Sequence, residues 1–260
     1  PLVPGGAARI GRAISLALAR AGYGVVIHAR RASEATETLA REIAALAVPA
    51  YVVLADLSDP ESTAALIPTA VATAGPLSLL VNNASAFEAD GVGELDPARW
   101  DRHFAVNLRA PVFLAQAFAA QLRDDEHGGQ DASTAGSAGN ASIVNITDQR
   151  AFKPVPRQFS YTLTKSALNA ATVMLAQALA PRVRVNAVAP GPTLPSPRQD
   201  AAEFARQAAA LPLGRGPRPE DIAAAVLYLA EAEAVTGVTI AVDGGQHIAW
   251  QTPDVADIRE

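Results

Sequence analysis

Seven short apolar runs punctuate the chain, at 1–4, 24–28 (GVVIH), 50–55 (AYVVLA), 77–82 (LSLLVN), 142–147 (SIVNIT), 183–188 (VRVNAV) and 238–242 (VTIAV). Few polar positions interrupt them, so each reads as a strand covered on both faces. Between them, apolar residues recur at helical spacing, as in RIGRAISLALARA and ASEATETLAREIAAL. Strand and helix alternate from end to end, with no internal repeat. That order predicts an α/β fold: one doubly wound, seven-stranded parallel sheet with helices on both faces, a single domain over residues 1–260. Ligands of such sheets bind beyond the carboxyl ends of the strands.

Two segments break the rhythm. EHGGQDASTAGSAGNA, 126–141, is rich in Gly, Ser and Ala and reads as a flexible surface loop before the fifth strand. PGPTLPSPRQ, 190–199, carries four prolines after the sixth strand, and the stretch 190–211 is placed to act as a lid over substrate.

Composition narrows the partners more than the fold. The net charge is −5 and 18% of residues are charged, a balance that offers no broad face to nucleic acid or anionic lipid. Cysteine is absent, which excludes disulfides and thiolate catalysis. His28, His103, His127 and His247 lack metal-ligand spacing, so no metal is expected. No apolar run approaches the ~20 residues that span a bilayer, and no signal peptide is legible, so the expected address is the cytoplasm. Met174 is the sole methionine, and a start segment is expected to have been removed or to be unrepresented.

The cofactor chemistry begins at the first turn. The first strand runs into PGGAARIG and then a helix, a place where backbone amides can approach a pyrophosphate at a helix N-terminus. The spacing is not GxGxxG, and such turns are often only turns. The second strand sharpens the reading. Where NAD-specific proteins carry an acidic residue for the ribose 2′-hydroxyl, this chain has His28, Arg30, Arg31 and Ser33. Arginine forks suit a 2′-phosphate, which favours NADPH (NADP+) over plain solvated arginines. Asp56 can accept from an adenine amino group, or serve only as a helix cap.

The proton chemistry lies farther on. Tyr161 and Lys165 are one helical turn apart and share a face; an ammonium beside a phenol favours the phenolate and is expected to lower its pKa from ~10. Asp148 stands thirteen positions before the tyrosine.

With the Gly turn at 5–11, NNA at 82–84, Asn107 in VNLRAP, the Tyr161/Lys165 pair and PGPT at 190–193, the chain resembles a short-chain dehydrogenase/reductase over essentially its whole length. The resemblance implies a Rossmann-type fold. It implies cofactor contacts at Gly5, Arg9 and Ile10, at Asp56 and Leu57, at Asn83, Ala84 and Ser85, and at Lys165, Pro190 and Gly191. It makes Tyr161 the proton donor, Lys165 the holder of the nicotinamide ribose, and Asn107 part of the proton relay. It also implies a homotetramer or homodimer, assembled through two long helices at roughly 98–124 and 158–180.

Most of that family carries serine where Asp148 stands. A carboxylate would repel a developing alkoxide, so Asp148 argues for a substrate with N–H donors or a ring nitrogen to be protonated. The set Asp148, Tyr161, Lys165 resembles the pteridine-reductase branch. So do Arg9 in place of the middle glycine of the turn, NNASAF at 82–87, and HARRAS at 28–33. The resemblance implies substrate contacts at Arg9, Ser85, Phe87, Asp148, Tyr161 and Pro192, with a pterin-like ring stacked between Phe87 and the nicotinamide. Phe87 as core packing and Asp148 as a strand-end cap are the plainer alternatives. The implied reaction sends hydride to C6 of a 7,8-dihydropterin while Asp148 or an associated water protonates N5. An NADPH-dependent reductase of ketones or 3-oxoacyl thioesters is the second reading, and a non-catalytic NADP(H)-sensing protein the third. Pro4, where the family has threonine, puts the turn geometry in question.

Overall fold

The computed structural model describes residues 1–124, 141–196 and 199–250; nearly all of the 126–141 loop and the whole 251–260 tail lie outside the described residues. Seven parallel strands form one sheet in the order β3-β2-β1-β4-β5-β6-β7. They are β1 (Leu2–Val3), β2 (Val25–Ala29), β3 (Ala50–Leu54), β4 (Leu79–Asn82), β5 (Ala141–Ile146), β6 (Val183–Pro190) and β7 (Thr239–Val242). The helices are α1 (Arg9–Arg20), α2 (Glu34–Ala44), α3 (Pro60–Ala74), α4 (Pro97–Phe104), α5 (Ala110–Asp124), α6 (Phe159–Leu179), α7 (Ala201–Ala209) and α8 (Pro219–Glu231).

Strand alternation sorts the core into two layers. Leu2, Val26, Leu80, Ile143 and Val185 point to one side and pack against Leu66 and Ile67 of α3, Leu114 and Phe118 of α5, and Ala176 of α6. Their neighbours Val3, Val25, Ile27, Val81 and Val144 point to the other, against Ile14 of α1, Ile43 of α2 and Val226 of α8. The interior strands are buried except for partly exposed Ala29 at the end of β2, whereas the edge strand β3 leaves Val52 and Leu54 exposed. Among the described residues no helix is long and apolar enough to cross a membrane.

Between β1 and β4 the sheet order reverses, because β1–β3 wind one way and β4–β7 the other. The cleft at that switch point is where such sheets hold ligands. The loops after β1, β4, β5 and β6 all open there. Caps set the helices that feed it: Asp59 accepts from the Ser62 amide ahead of Pro60, and Asp96 from the Arg99 amide ahead of Pro97.

One departure matters for the site. The expected single helix over 98–124 is interrupted by a π-helical turn, Ala105–Arg109, in which the Ala110 amide donates to the Ala105 carbonyl, five residues back. A π turn inserts a residue into the helical frame and re-aims the side chains on either side. Asn107 sits at its centre, fully buried.

Candidate active site

The cofactor end is built from backbone. Gly5 adopts φ +69, and a Cβ on Gly11 would lie 2.1 Å from the Gly5 carbonyl oxygen, so the turn closes onto α1 only with glycine there. Arg9 occupies the middle-glycine position with φ 51, a left-handed conformation unusual for a side-chain-bearing residue. Pro4 is accommodated: the Gly6 amide donates to the carbonyls of Val3 and His28, and the Asn83 amide group donates to Pro4 and Gly5 at 3.2 and 2.9 Å. The proline therefore leaves the turn closed.

His28 is corrected from phosphate ligand to turn support. It is 2% exposed; its Nδ1 accepts from the Gly5 amide at 3.1 Å and its Nε2 faces the Ala55 carbonyl at 3.0 Å. Both ring nitrogens are thus engaged by backbone, and burial pushes its pKa below the ordinary histidine range. Arg30 and Arg31, by contrast, are exposed at the end of β2, and neither forms an ion pair among the described residues. Ser33 caps α2 and accepts from the Thr36 amide. Asp56 Oδ1 accepts from the Ser58 amide and hydroxyl, bonds that hold its carboxyl below the usual range; they brace the turn after β3, while Asp59 caps α3. The Leu57 side chain lies in the core, where it is 5% exposed, and Ile10 packs partly against the opposite layer.

This end fits a dinucleotide phosphate. Two glycines leave backbone exposed at a helix N-terminus, and the exposed guanidinium groups of Arg30 and Arg31, without an ion pair among the described residues, follow β2 as the fork donors a phosphate would take. Pro190 and Gly191 close the far side; a Cβ on Gly191 would sit 2.7 Å from the Asp243 backbone, so the chain passes close there. Half-buried Pro192 follows. Beyond it, Arg9 Nη2 donates to the carbonyls of Leu194 and Pro195 at 3.2 and 3.0 Å, tying the first turn to the start of the 190–211 segment.

The catalytic end is built from side chains. Tyr161 OH donates to Asp148 Oδ2 at 2.8 Å. Asp148 also accepts from the Arg150 amide at 2.9 Å and from Arg150 Nη1 at 3.3 and 3.2 Å. Asp148 is therefore a strand-end cap, over the 3₁₀ turn Gln149–Ala151, and the partner of the tyrosine at once. Lys165 Nζ donates to the Ile146 carbonyl at 2.8 Å and lies 5.7 Å from the Tyr161 ring centre. The expectation of a lowered tyrosine pKa is corrected. Burial, then the Asp148 charge, push the phenol well above its ordinary value, because the nearest anion disfavours the phenolate. Burial lowers Lys165 to about 8.

Phe87 is 40% exposed and meets Tyr161 edge to face at 4.7 Å between centroids, which removes the core-packing alternative. Asn107 holds this loop in place: its Nδ2 donates to the Ala86 carbonyl and Thr164 Oγ1, and its Oδ1 accepts from the Ala86 amide and Ser85 hydroxyl. Every polar atom of that amide is engaged, so its side chain fastens the β4 loop to α6. Ala84 lies just before, its Cα 3.0 Å from where a Gly5 Cβ would be.

Two features escaped the sequence reading. Arg150 joins Asp148, Phe87 and Tyr161, its guanidinium carbon 5.8 and 5.9 Å from the two ring centres; the signal was a cation two positions past a candidate carboxylate. The second is a buried strut. The Glu88 amide donates to His103 Nε2, which leaves Nδ1 as the donor to Ser160 Oγ at 2.6 Å, and that hydroxyl donates to Asp90. It locks the residue before Tyr161 to the Phe87 loop.

Residues 5–247 match the family described as enoyl-(acyl carrier protein) reductase. The chain is 49% identical to a Brucella suis structure described as FolM alternative dihydrofolate reductase 1 in complex with NADP, with a TM-score of 0.89 over 98% of this chain and 97% of that one. It is 33% identical to an uncharacterized oxidoreductase of Methylorubrum extorquens, covering 94% of this chain and 96% of the relative. It is 32% identical to the 3-oxoacyl-[acyl-carrier-protein] reductase FabG of Staphylococcus aureus, covering 95% and 97%. With these matches and the Tyr161/Lys165 pair on a seven-stranded parallel sheet, the chain belongs to the short-chain dehydrogenase/reductase family of oxidoreductases.

Proposed function

We propose that this protein is an NADPH-dependent reductase of a pteridine-type substrate, reducing a 7,8-dihydropterin across C6 and N5. The observation that carries the reading is the 2.8 Å bond from Tyr161 OH to Asp148, an acceptor beside the tyrosine in a cleft walled by the exposed ring of Phe87. A ketone oxygen needs donors there, and a carboxylate would oppose the negative charge it develops. A heterocycle rich in N–H groups needs an acceptor.

When bound, the reduced nicotinamide supplies the hydride. Arg30 and Arg31 hold the 2′-phosphate, with Ser33 beside them, and the Gly5–Ile10 turn with Asn83 and Ala84 frames the diphosphate. Asp56 has one carboxyl oxygen left for the adenine amino group. Lys165 orients the ribose, and Pro190 and Gly191 back the carboxamide side. Phe87 takes one face of the pterin, while Ser85, Arg9 and Pro192 border it. The proton for N5 starts on Tyr161 OH and passes by way of the Asp148 carboxylate, or a water on it, and solvent returns a proton to Tyr161 after the product leaves. The Brucella suis neighbour, described as a dihydrofolate reductase with NADP, supports this reading. Exposed Phe113 and Met174 on α5 and α6 favour assembly as a homodimer or homotetramer through those helices.

The FabG likeness favours a second reading, reduction of 3-oxoacyl thioesters with Asp148 as a tolerated change. The two separate in one assay: NADPH oxidation followed by absorbance, with 7,8-dihydrobiopterin against acetoacetyl thioester and an NADH control. Pterin-dependent oxidation that prefers NADPH is expected. Thioester turnover with silent pterins would return the chain to the carbonyl reductases.

A further inference from the structure

The helix that carries Tyr161 and Lys165 starts without a cap of its own. Its N-cap residue, Gln158, has left-handed backbone (φ 51) and makes no side-chain hydrogen bond to the helix start. An N-cap side chain ordinarily accepts from the second or third amide of its helix. Here the second amide, that of Ser160, donates instead to Asp90, at 3.3 and 3.2 Å from its two carboxylate oxygens. The Ser160 hydroxyl donates to the same carboxylate. Asp90 belongs to the loop after β4, 70 residues away in sequence, and is 9% exposed. A shielded carboxylate in this place also faces the positive end of the helix dipole.

The bond joins a fixed body to a part that frays. The loop has further anchors: the Ala86 amide on Asn107, the Glu88 amide on His103, and the Ala89 carbonyl, which accepts from Arg99. His103 donates in turn to Ser160 Oγ, which turns the hydroxyl proton toward Asp90. A helix start, by contrast, is where backbone groups lack intrahelical partners and open first. Tyr161 follows Ser160 directly, inside that first turn. Lys165 lies one turn farther in, with its Nζ on the Ile146 carbonyl. Loss of the Asp90 bond therefore reaches the tyrosine and spares the lysine.

Resting on Tyr161 as the proton source, which both readings above share, we infer that Asp90 is a positioning residue: it caps the helix of Tyr161 from the Phe87 loop and sets the place of the tyrosine hydroxyl. Phe87 stands three residues before Asp90 and meets the Tyr161 ring at 4.7 Å. The face that would take the substrate ring and the hydroxyl that would supply its proton thus share one support. Asp90 acts at one remove, since its carboxylate bonds Ser160 and not Tyr161.

The test combines Asp90→Ala, Asp90→Asn and Tyr161→Phe in the full chain, with cofactor fluorescence on NADPH binding as the measure of fold and affinity. For Asp90→Ala we expect kcat to fall by about tenfold, on whichever of the dihydropterin and the thioester is turned over. NADPH affinity should stay within about twofold, because Lys165 keeps its place. Asp90→Asn, whose side-chain oxygen still caps, should hold kcat within about threefold. In the Tyr161→Phe background, Asp90→Ala should change the residual rate by less than about twofold, since the hydroxyl it positions is gone. A full tenfold loss in that background, or a matching loss of NADPH affinity, would overturn the inference and leave Asp90 a structural residue. Undiminished turnover in Tyr161→Phe alone would remove the proton source on which the inference rests. Thioester turnover with silent pterins would sink the pterin reading, and the same cycle run on the thioester then decides the cap. Hydrogen exchange on the wild type needs no variant: the Ser160 amide should be protected to within about tenfold of the Glu88 amide, as members of one unit. Weaker protection of Ser160 than that would overturn the cap.

Discussion

The two ends of the cleft are made of different material. Around the first turn the working atoms are backbone amides, shaped by Gly5 and Gly11 and braced by Asn83 and His28. Around Tyr161 they are side-chain oxygens and nitrogens converging from β5, α6 and the loop after β4. A backbone site is indifferent to side-chain identity until a Cβ intrudes, so it absorbs Pro4 and Arg9 without opening. A side-chain site changes character with one residue, as aspartate in place of serine illustrates. The first kind of site predicts the cofactor class; only the second predicts the substrate.

That contrast can be broken from either side. The largest effect is expected at Tyr161. Tyr161→Phe removes the proton that Asp148 draws on, and turnover should fall by about 10²–10⁴-fold with NADPH binding retained, read by single-turnover absorbance and cofactor fluorescence. Survival of turnover would move the proton source elsewhere. Next comes Gly11→Ala. Its Cβ would fall 2.1 Å from the Gly5 carbonyl, so the turn must open, and NADPH affinity should drop by at least about tenfold. Pro4→Thr, three residues before Ala7 in the same turn, should leave affinity within about twofold, because the proline displaces no bond that the turn uses. Comparable losses in both variants would show the backbone site to be less tolerant than argued.

Charge supplies the smaller effects. Arg30→Ala or Arg31→Ala should cost about tenfold in NADPH affinity and little with NADH, measured as the ratio of the two cofactors' KM values. The pH dependence has a worked sign. Burial depresses Lys165 to about 8, so the ammonium is present below that pH and lost above it. The profile of kcat/KM should therefore fall on its alkaline side near 8. Tyr161, pushed upward, stays protonated across that range and adds no limb of its own. Lys165→Arg should carry the alkaline limb to higher pH, since guanidinium keeps its proton.

The sequence carried the seven strands and their order of use because strands covered on both faces read as unbroken apolar runs; β3, with exposed Val52 and Leu54, shows that the same signal does not report an edge. The Asp148–Tyr161–Lys165 set was legible because its spacing is local to one strand end and one helix face. His28 was misassigned for a related reason. A polar residue inside a doubly covered strand must satisfy its hydrogen bonds internally, and its partners, Gly5 and Ala55, are remote in sequence. The π turn at Ala105–Arg109 was hidden because one inserted residue barely disturbs helical periodicity. The strut of Asp90, His103 and Ser160 joins three elements, and no local pattern announces a contact of that kind.

The central claim is that Asp148 chooses the substrate. The direct measurement is the ratio of kcat/KM for a 7,8-dihydropterin to that for a 3-oxoacyl thioester, in the wild type and in Asp148→Ser, with NADPH saturating. The account predicts a ratio strongly favouring the pterin in the wild type that falls by at least about a hundredfold in Asp148→Ser, as the acceptor becomes a hydroxyl able to donate. A ratio that does not move would contradict it, and would make the carboxylate at 148 a cap on the turn after β5 and nothing more.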